Sequence, residues 1–224
     1  QIPLPPLETQ KQIAKNLDTV SELLTMRKQQ LDELDNLIKS VFYDMFGDPV
    51  TNEKGWEVKK LPQIVEPTKN SIKRGPFGGA LKKELFVSEG YLVYEQNHAL
   101  NNDYSFKRYF IDQKKFDEMK EFEVKPGDIL ISCSGVYLGK LSIVPHGAMS
   151  GIINQALLKI TLNNFEMDSI FFVNLFSNDI FRNKNITSDR GSGIPNLPPM
   201  SEIKNIDFIA PPLSLQTKFA DIIK

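Results

Sequence analysis

The chain has 224 residues, a length that suits one or two domains, and its 41% hydrophobic and 25% charged content can bury a core. Its 27 basic and 28 acidic residues give a net charge of −1, which excludes a globally basic nucleic-acid coat and leaves any nucleic-acid contact to local patches. One cysteine (Cys133) excludes a disulfide framework and every cysteine-cluster metal site, two histidines (His98, His146) nearly exclude the usual zinc chemistry, and no glycine-rich loop stands between a strand and a helix to hold a nucleotide, so neither a metal nor a cofactor is expected. The apolar runs are far shorter than the roughly 20 residues that cross a bilayer. The opening Gln1-Ile2-Pro3-Leu4-Pro5-Pro6 does not resemble a signal peptide, and a cytoplasmic location without membrane contact is expected.

The first predicted element is a long helix. Residues 8–46 contain no Gly and no Pro. Ile13, Leu17, Val20, Leu24, Arg27, Leu31, Leu34, Ile38, Val41 and Met45 recur at alternating steps of three and four, a heptad seam in which only Arg27 is polar. Such a seam predicts a helix–helix interface, with Arg27 either snorkelling or fixing register. Phe46-Gly47-Asp48-Pro49 predicts the stop, because Gly takes the left-handed position after a helix and Pro cannot continue it. At 1.5 Å per residue the rod is roughly 58 Å long.

Short β-like runs follow: Glu57–Leu61, Phe86-Val87, Tyr91–Tyr94, Arg108–Ile111, Phe122–Val124, Ile129–Ile131, Leu141–Val144 and Ala156–Ile160. Helical patterns are predicted at Lys114–Lys120 and, as one helix, across Asp168–Phe181. The expected fold class is α+β, a long coiled-coil-type helix followed by a compact mixed β-rich domain.

Pro5-Pro6-Leu7-Glu8-Thr9-Gln10-Lys11-Gln12-Ile13-Ala14 aligns with Pro211-Pro212-Leu213-Ser214-Leu215-Gln216-Thr217-Lys218-Phe219-Ala220 at an offset of 206 residues. Two prolines precede a helix start in each copy, and Ser214 is the expected N-cap of the second. The segment therefore reads as one period of a two-unit array.

In order along the chain come a helix after Pro-Pro-Leu, Gly55-Trp56-Glu57-Val58-Lys59-Lys60-Leu61, Gly75-Pro76-Phe77-Gly78-Gly79 with Leu81, and Val124-Lys125-Pro126-Gly127-Asp128-Ile129-Leu130-Ile131. Ser134-Gly135 with Gly139-Lys140, Asn154-Gln155-Ala156 and Gly191-Ser192-Gly193-Ile194-Pro195-Asn196-Leu197 complete the series. This succession resembles the DNA-specificity (S) subunit of type I restriction–modification enzymes. Two departures are visible: the 134–139 stretch is one residue longer than the usual form, and Gly79 stands where serine is common.

The resemblance implies a spacer helix over 1–47, a target recognition domain over 48–207 and the start of a second spacer helix over 208–224. It implies a non-catalytic reader of double-stranded DNA that directs adenine methylation and cleavage by separate modification and restriction subunits. A one-unit chain of this kind is expected to form a homodimer through its long helix and to read an interrupted palindrome.

Residues 68–83 hold Lys69, Lys73, Arg74, Lys82 and Lys83 and no acid. This basic segment suits phosphate contact, with Gly75 and its neighbours permitting close backbone approach around Phe77; a solvated surface loop is the plainer reading. Arg reads guanine and Asn or Gln reads adenine through paired hydrogen bonds. Loop candidates for that role are Gln96, Asn97, His98, Asn101, Asn102, Tyr137 with Lys140, Asn183, Ser188, Asp189, Arg190 and Ser192. Cys133 reads as a small buried hydrophobe and His146 as a loop residue, with no nucleophile–base spacing between them. The alternative to DNA reading is a coiled-coil adaptor with a ligand-binding β-rich domain.

Overall fold

A computed structural model describes residues 4–187, 193 and 195–224. The chain divides into two compact units, Gln1–Met45 and Phe46–Lys224.

The first unit is helical. Helix α1 spans Leu7–Phe46, 40 residues or about 60 Å. With no helix breaker inside, it is supported by side-chain pairs one turn apart, Lys11 with Glu8 at 3.1 Å, Gln12 with Asn16 at 2.8 Å and Gln29 with Glu33 at 2.9 Å. Residues 11–37 are exposed throughout. The seam residues Leu17, Leu24 and Leu34 keep 62%, 67% and 52% of their surface, far more than a packed seam leaves. Arg27 is exposed too, its Nη1 3.5 Å from Gln30 Oε1. The predicted stop is observed: Gly47 takes φ +75°, the left-handed region. No helix among the described residues is long and apolar enough to cross a membrane.

The second unit begins by closing a helix end. The Trp56 indole Nε1–H donates to the Phe46 carbonyl at 2.8 Å, satisfying one of the acceptors that a helix C-terminus leaves open. The Asn52 amide holds Trp56 in place, accepting from its backbone N–H at 2.9 Å and donating to its carbonyl at 2.8 Å.

The strands in chain order are β1 (Val58–Lys60), β2 (Ile72–Arg74), β3 (Tyr91–Tyr94), β4 (Phe110–Ile111), β5 (Glu123–Val124), β6 (Ile129–Ser132), β7 (Leu141–Ile143), β8 (Gly151–Ile153), β9 (Leu157–Ile160) and β10 (Asp207–Ile209). The helices are α2 (Leu61–Ile64), α3 (Gln96–Asn101), α4 (Gln113–Glu118), α5 (Ser169–Ser177), α6 (Asp179–Asn185), α7 (Met200–Lys204) and α8 (Leu213–Ile223).

Among the described residues the strands form three sheets. Strands β2-β9-β6-β7 make an antiparallel sheet, β4-β3-β8-β5 a mixed sheet with β3 and β8 parallel, and β1 pairs with β10. The period of two explains how the mixed sheet is buried on both faces. Leu92, Tyr94 and Ile153 pack with Leu130 and Leu157 of the antiparallel sheet, while Val93 and Ile152 pack with Ile111, Phe116 and Met119. A phenylalanine layer fills the space between α5, α6, α8 and β10. Phe171 lies 4.7 Å from Phe46, and Phe208 lies 5.4 Å from Phe172 and 5.2 Å from Phe181 between ring centroids.

Three expectations are corrected. The pattern across Asp168–Phe181 is two helices, because the Asn178 side chain accepts from the N–H groups of Ile180 and Phe181 at 3.0 and 3.1 Å and starts α6 there. The polar stretch expected to be a loop at 96–102 contains α3, opened by the His98 ring accepting from Glu95 N–H and closed by Asn102 at φ +50°. Ser214 is not the cap of α8: Pro212 holds that position, and Ser214 sits within the first turn.

Candidate nucleic-acid interface

Strand β2 sends alternate side chains to opposite faces, and this divides the basic segment. Lys73 turns to Glu121 at 2.5 Å and lies 4.8 Å from the Phe122 ring centroid. Arg74 turns the other way, donating Nη2–H to Asn196 Oδ1 at 2.7 Å with its guanidinium 5.4 Å from the centroid of Phe77. Phe77 keeps 71% of its surface, so the ring stands out into solvent with the arginine beside it.

Asn196 is the hub of this face. It bridges to Ser134, and on either side Gly135 N–H donates to Pro195 O at 2.9 Å and Leu197 N–H to Cys133 O at 2.8 Å. The Gln96 amide, at the start of α3, donates to Ser132 Oγ and to the Ser134 carbonyl, both at 2.6 Å. Four separate segments thus meet around the start of the β6–β7 loop.

That loop is built by two glycines in the left-handed region, Gly135 at φ +81° and Gly139 at φ +75°. Gly139 N–H donates to Ser132 O at 2.9 Å and Ser132 N–H to Lys140 O at 2.7 Å, which closes the loop on its strand. Its tip is bare: Val136 and Tyr137 are 94% and 51% exposed. The Lys140 ammonium lies 5.2 Å from the Tyr137 ring centroid. Beneath the loop, Cys133 is buried, and burial pushes its thiol up to about 12 although the Arg74 charge works against the shift.

The arrangement combines one forked cation, exposed rings and amides on a shared rim. Arg74, Phe77, Tyr137 and Lys140 belong to it, and Gln96 and Asn196 join them. Asn97 is half-buried and Asn101 exposed on α3, with their side chains hydrogen-bonded to each other. Lys82 and Lys83 are exposed in a segment whose Ala80, Leu81 and Phe86 pack on the mixed sheet.

Other candidates lie elsewhere. Lys69 lines a recess of about 450 Å³ in which it, Lys120, Lys125 and Lys159 are balanced by Glu66, Glu121, Glu123 and Asp128. Lys73 is already ion-paired. His98 is fully buried, its Nδ1 accepting from Glu95 N–H and its Nε2 donating to Phe106 O, both at 3.0 Å, so it offers no edge to a base. Gly75 serves its own fold rather than the approach of another molecule, because a Cβ there would lie 1.8 Å from the Asn154 carbonyl oxygen. Arg190 and Ser192 lie outside the described residues.

The sequence matches the family described as the type I restriction modification DNA specificity domain over residues 1–36 and 53–224. It is 24% identical over 198 residues to the type I restriction enzyme MjaVIII specificity subunit of Methanocaldococcus jannaschii, covering 81% of this chain and 45% of that protein. To the MjaIX specificity subunit of the same organism it is 23% identical over 242 residues, covering 100% of this chain and 53% of that protein. The chain thus spans about half the length of these curated relatives. In fold it is similar to the HsdS subunit from Thermoanaerobacter tengcongensis, with TM-score 0.59 and 16% identity over 99% of this chain and 51% of that one. It is likewise similar to the type I restriction–modification S subunit from M. genitalium, with TM-score 0.61 and 15% identity over 97% of this chain and 54% of that one.

Proposed function

The chain belongs to the type I restriction modification DNA specificity domain family, and from that premise we propose that it reads one half of a bipartite duplex-DNA target on behalf of catalytic partner subunits. The family match across nearly the whole chain carries this reading. The rim around Ser134 and Asn196 supports it, since Arg74 and Tyr137 bring to one edge side-chain types that contact bases, Gln96 braces that edge, and Lys140 can meet a phosphate. Lys82, Lys83, Asn97 and Asn101 are further contacts in this proposal, and Arg190 and Ser192 remain part of the contact set.

Residues 1–47 act as the spacer, 48–207 as the recognition domain and 208–224 as the start of a second spacer. The partners are double-stranded DNA, a modification subunit that methylates adenine and a restriction subunit that cleaves. The complex works in the cytoplasm, beside the DNA it reads. The exposed heptad seam of α1 supports pairing with a second copy, two chains giving a two-headed reader with two-fold symmetry.

The decisive test is the methylated sequence of a genome carrying this chain with its modification subunit, compared with one in which the chain is deleted. One adenine-methylated motif is expected to vanish; an unchanged methylation pattern refutes the reading. In the same background Arg74→Ala is expected to lower methylation of that motif about tenfold or more, the value of one good base contact.

A further inference from the structure

The β6–β7 loop is braced from beneath by a side chain of another element. Arg182, in α6, donates Nη2–H to the Leu138 carbonyl at 2.6 Å. Its Nε and Nη2 lie 3.5 and 3.6 Å from where a Cβ on Gly139 would stand, so the guanidinium fills the underside of the turn. Nε itself is buried with no acceptor among the described residues. A buried donor left idle is a cost to stability, and an apolar side chain of similar length fills the same space without it. What the guanidinium adds is a short charge-assisted bond to one particular carbonyl.

That carbonyl belongs to the loop with the barest tip on the rim, Val136 and Tyr137. The loop's ends are tied by Gly135 N–H to Pro195 O and Gly139 N–H to Ser132 O, both at 2.9 Å, and between them its backbone bonds are local, Leu138 N–H to Gly135 O at 3.0 Å and Lys140 N–H to Tyr137 O at 3.1 Å. Two positive-φ glycines hinge it at either end. A hinged tip that docks on a ligand loses conformational freedom on docking, unless it is already held in the bound arrangement.

We propose that Arg182 is a positioning residue for target discrimination: it holds the Val136–Tyr137–Lys140 tip at one height, so that the tip meets DNA in one register. The proposal rests on the DNA-reading function above. Arg182 acts through Leu138 and makes no contact with DNA itself.

Two measurements test it. In the chain alone, Arg182→Met is expected to speed hydrogen exchange at the Leu138 and Lys140 amides about tenfold, the worth of one charge-assisted bond, while Leu130 and Ile131 in β6 stay protected. Equal exchange in variant and wild type overturns the brace. In the complex with its modification subunits, R182M is expected to raise the KM for target DNA about tenfold with kcat unchanged. It is also expected to narrow the preference over duplexes carrying one altered base pair, and Arg182→Lys should restore part of both. Unchanged KM and preference, or a loss confined to kcat, overturns the positioning role. If R182M does not fold, R182K carries both measurements, with shifts of about threefold expected and none overturning the proposal. A wild-type complex without any preference among the duplexes overturns the DNA-reading premise instead, a result the exchange measurement keeps separate.

Discussion

Gln10 and Gln216, 206 residues apart, make the same hydrogen bond: each donates Nε2–H to the proline carbonyl five residues upstream, Pro5 or Pro211, at 2.7 Å. Each helix starts at the leucine after the second proline. The settings differ. Gln216 is fully buried and its Oε1 also accepts from Asp168 N–H at 2.9 Å, whereas the Gln10 bond is exposed. Gln216→Ala leaves a buried donor and a buried acceptor unmatched and is expected to cost about 2–3 kcal/mol, against about 0.5 kcal/mol or less for Gln10→Ala. Urea midpoints of the two variants check this, and equal losses would contradict the burial argument.

Gly75→Ala is expected to be among the most damaging single-methyl additions in the chain. The new Cβ meets the backbone of Asn154, and no side chain can swing aside to admit it. Gly75 N–H also donates to Leu157 O at 2.9 Å, so moving the glycine pulls on the ladder. A loss of about 3 kcal/mol is expected in urea unfolding. Gly127→Ala, where space is open but φ is +87°, should cost about 1–2 kcal/mol.

Stability is expected to fall on the alkaline side. Burial pushes Cys133 from 9.0 up to about 12, and Tyr94 and Tyr104 from 10.0 up to about 12. Below about pH 8 these groups are protonated in folded and unfolded chains alike, and their full contribution is present. As pH rises from about 8 toward 12, the groups ionise in the unfolded chain before they can in the folded one, and that ionisation favours unfolding, so the fold weakens. Urea midpoints measured at about pH 8, 10 and 11 should decline, with Tyr104→Phe flattening the upper part of the slope. A level profile would count against the burial of these groups. Iodoacetamide at about pH 8 should label Cys133 only after unfolding.

Leu24→Glu with Leu31→Glu is expected to leave the unfolding free energy within about 0.5 kcal/mol when measured at a dilution where the chain is monomeric, because both side chains are exposed in the single chain. The same pair should abolish self-association through α1 in sedimentation measurements at micromolar concentration. A wild-type chain that sediments as a monomer there would remove the basis for a two-headed homodimer.

What was legible in the sequence was local or periodic. The heptad repeat and Gly47 marked α1 and its end, since both signals act within a few residues. The Pro-Pro-Leu repeat marked two helix starts that share the same glutamine-to-proline hydrogen bond. The α5–α6 break was hidden because Asn178 follows an unbroken apolar pattern and acts through one side-chain oxygen. Helix α3 was hidden because its polar residues carry no apolar period and His98 does the capping from within. The basic segment looked like one patch until β2 set Lys73 and Arg74 on opposite faces. Arg182 and Leu138 are 44 residues apart, and nothing in the sequence near either one announces the other.

Within the second unit strands β1 and β10 lie side by side, with Val58 opposite Ile209 across an antiparallel ladder. Neighbouring strands stand only about 5 Å apart, so the polypeptide departs almost at its own doorstep. Everything between residues 60 and 207 is therefore a closed excursion. Under the proposed function, a homologous excursion with different rim residues, spliced in at the same two strands and keeping Phe171, Phe172 and Phe181 against Phe46 and Phe208, would alter what is read while leaving the backbone on either side on its original course.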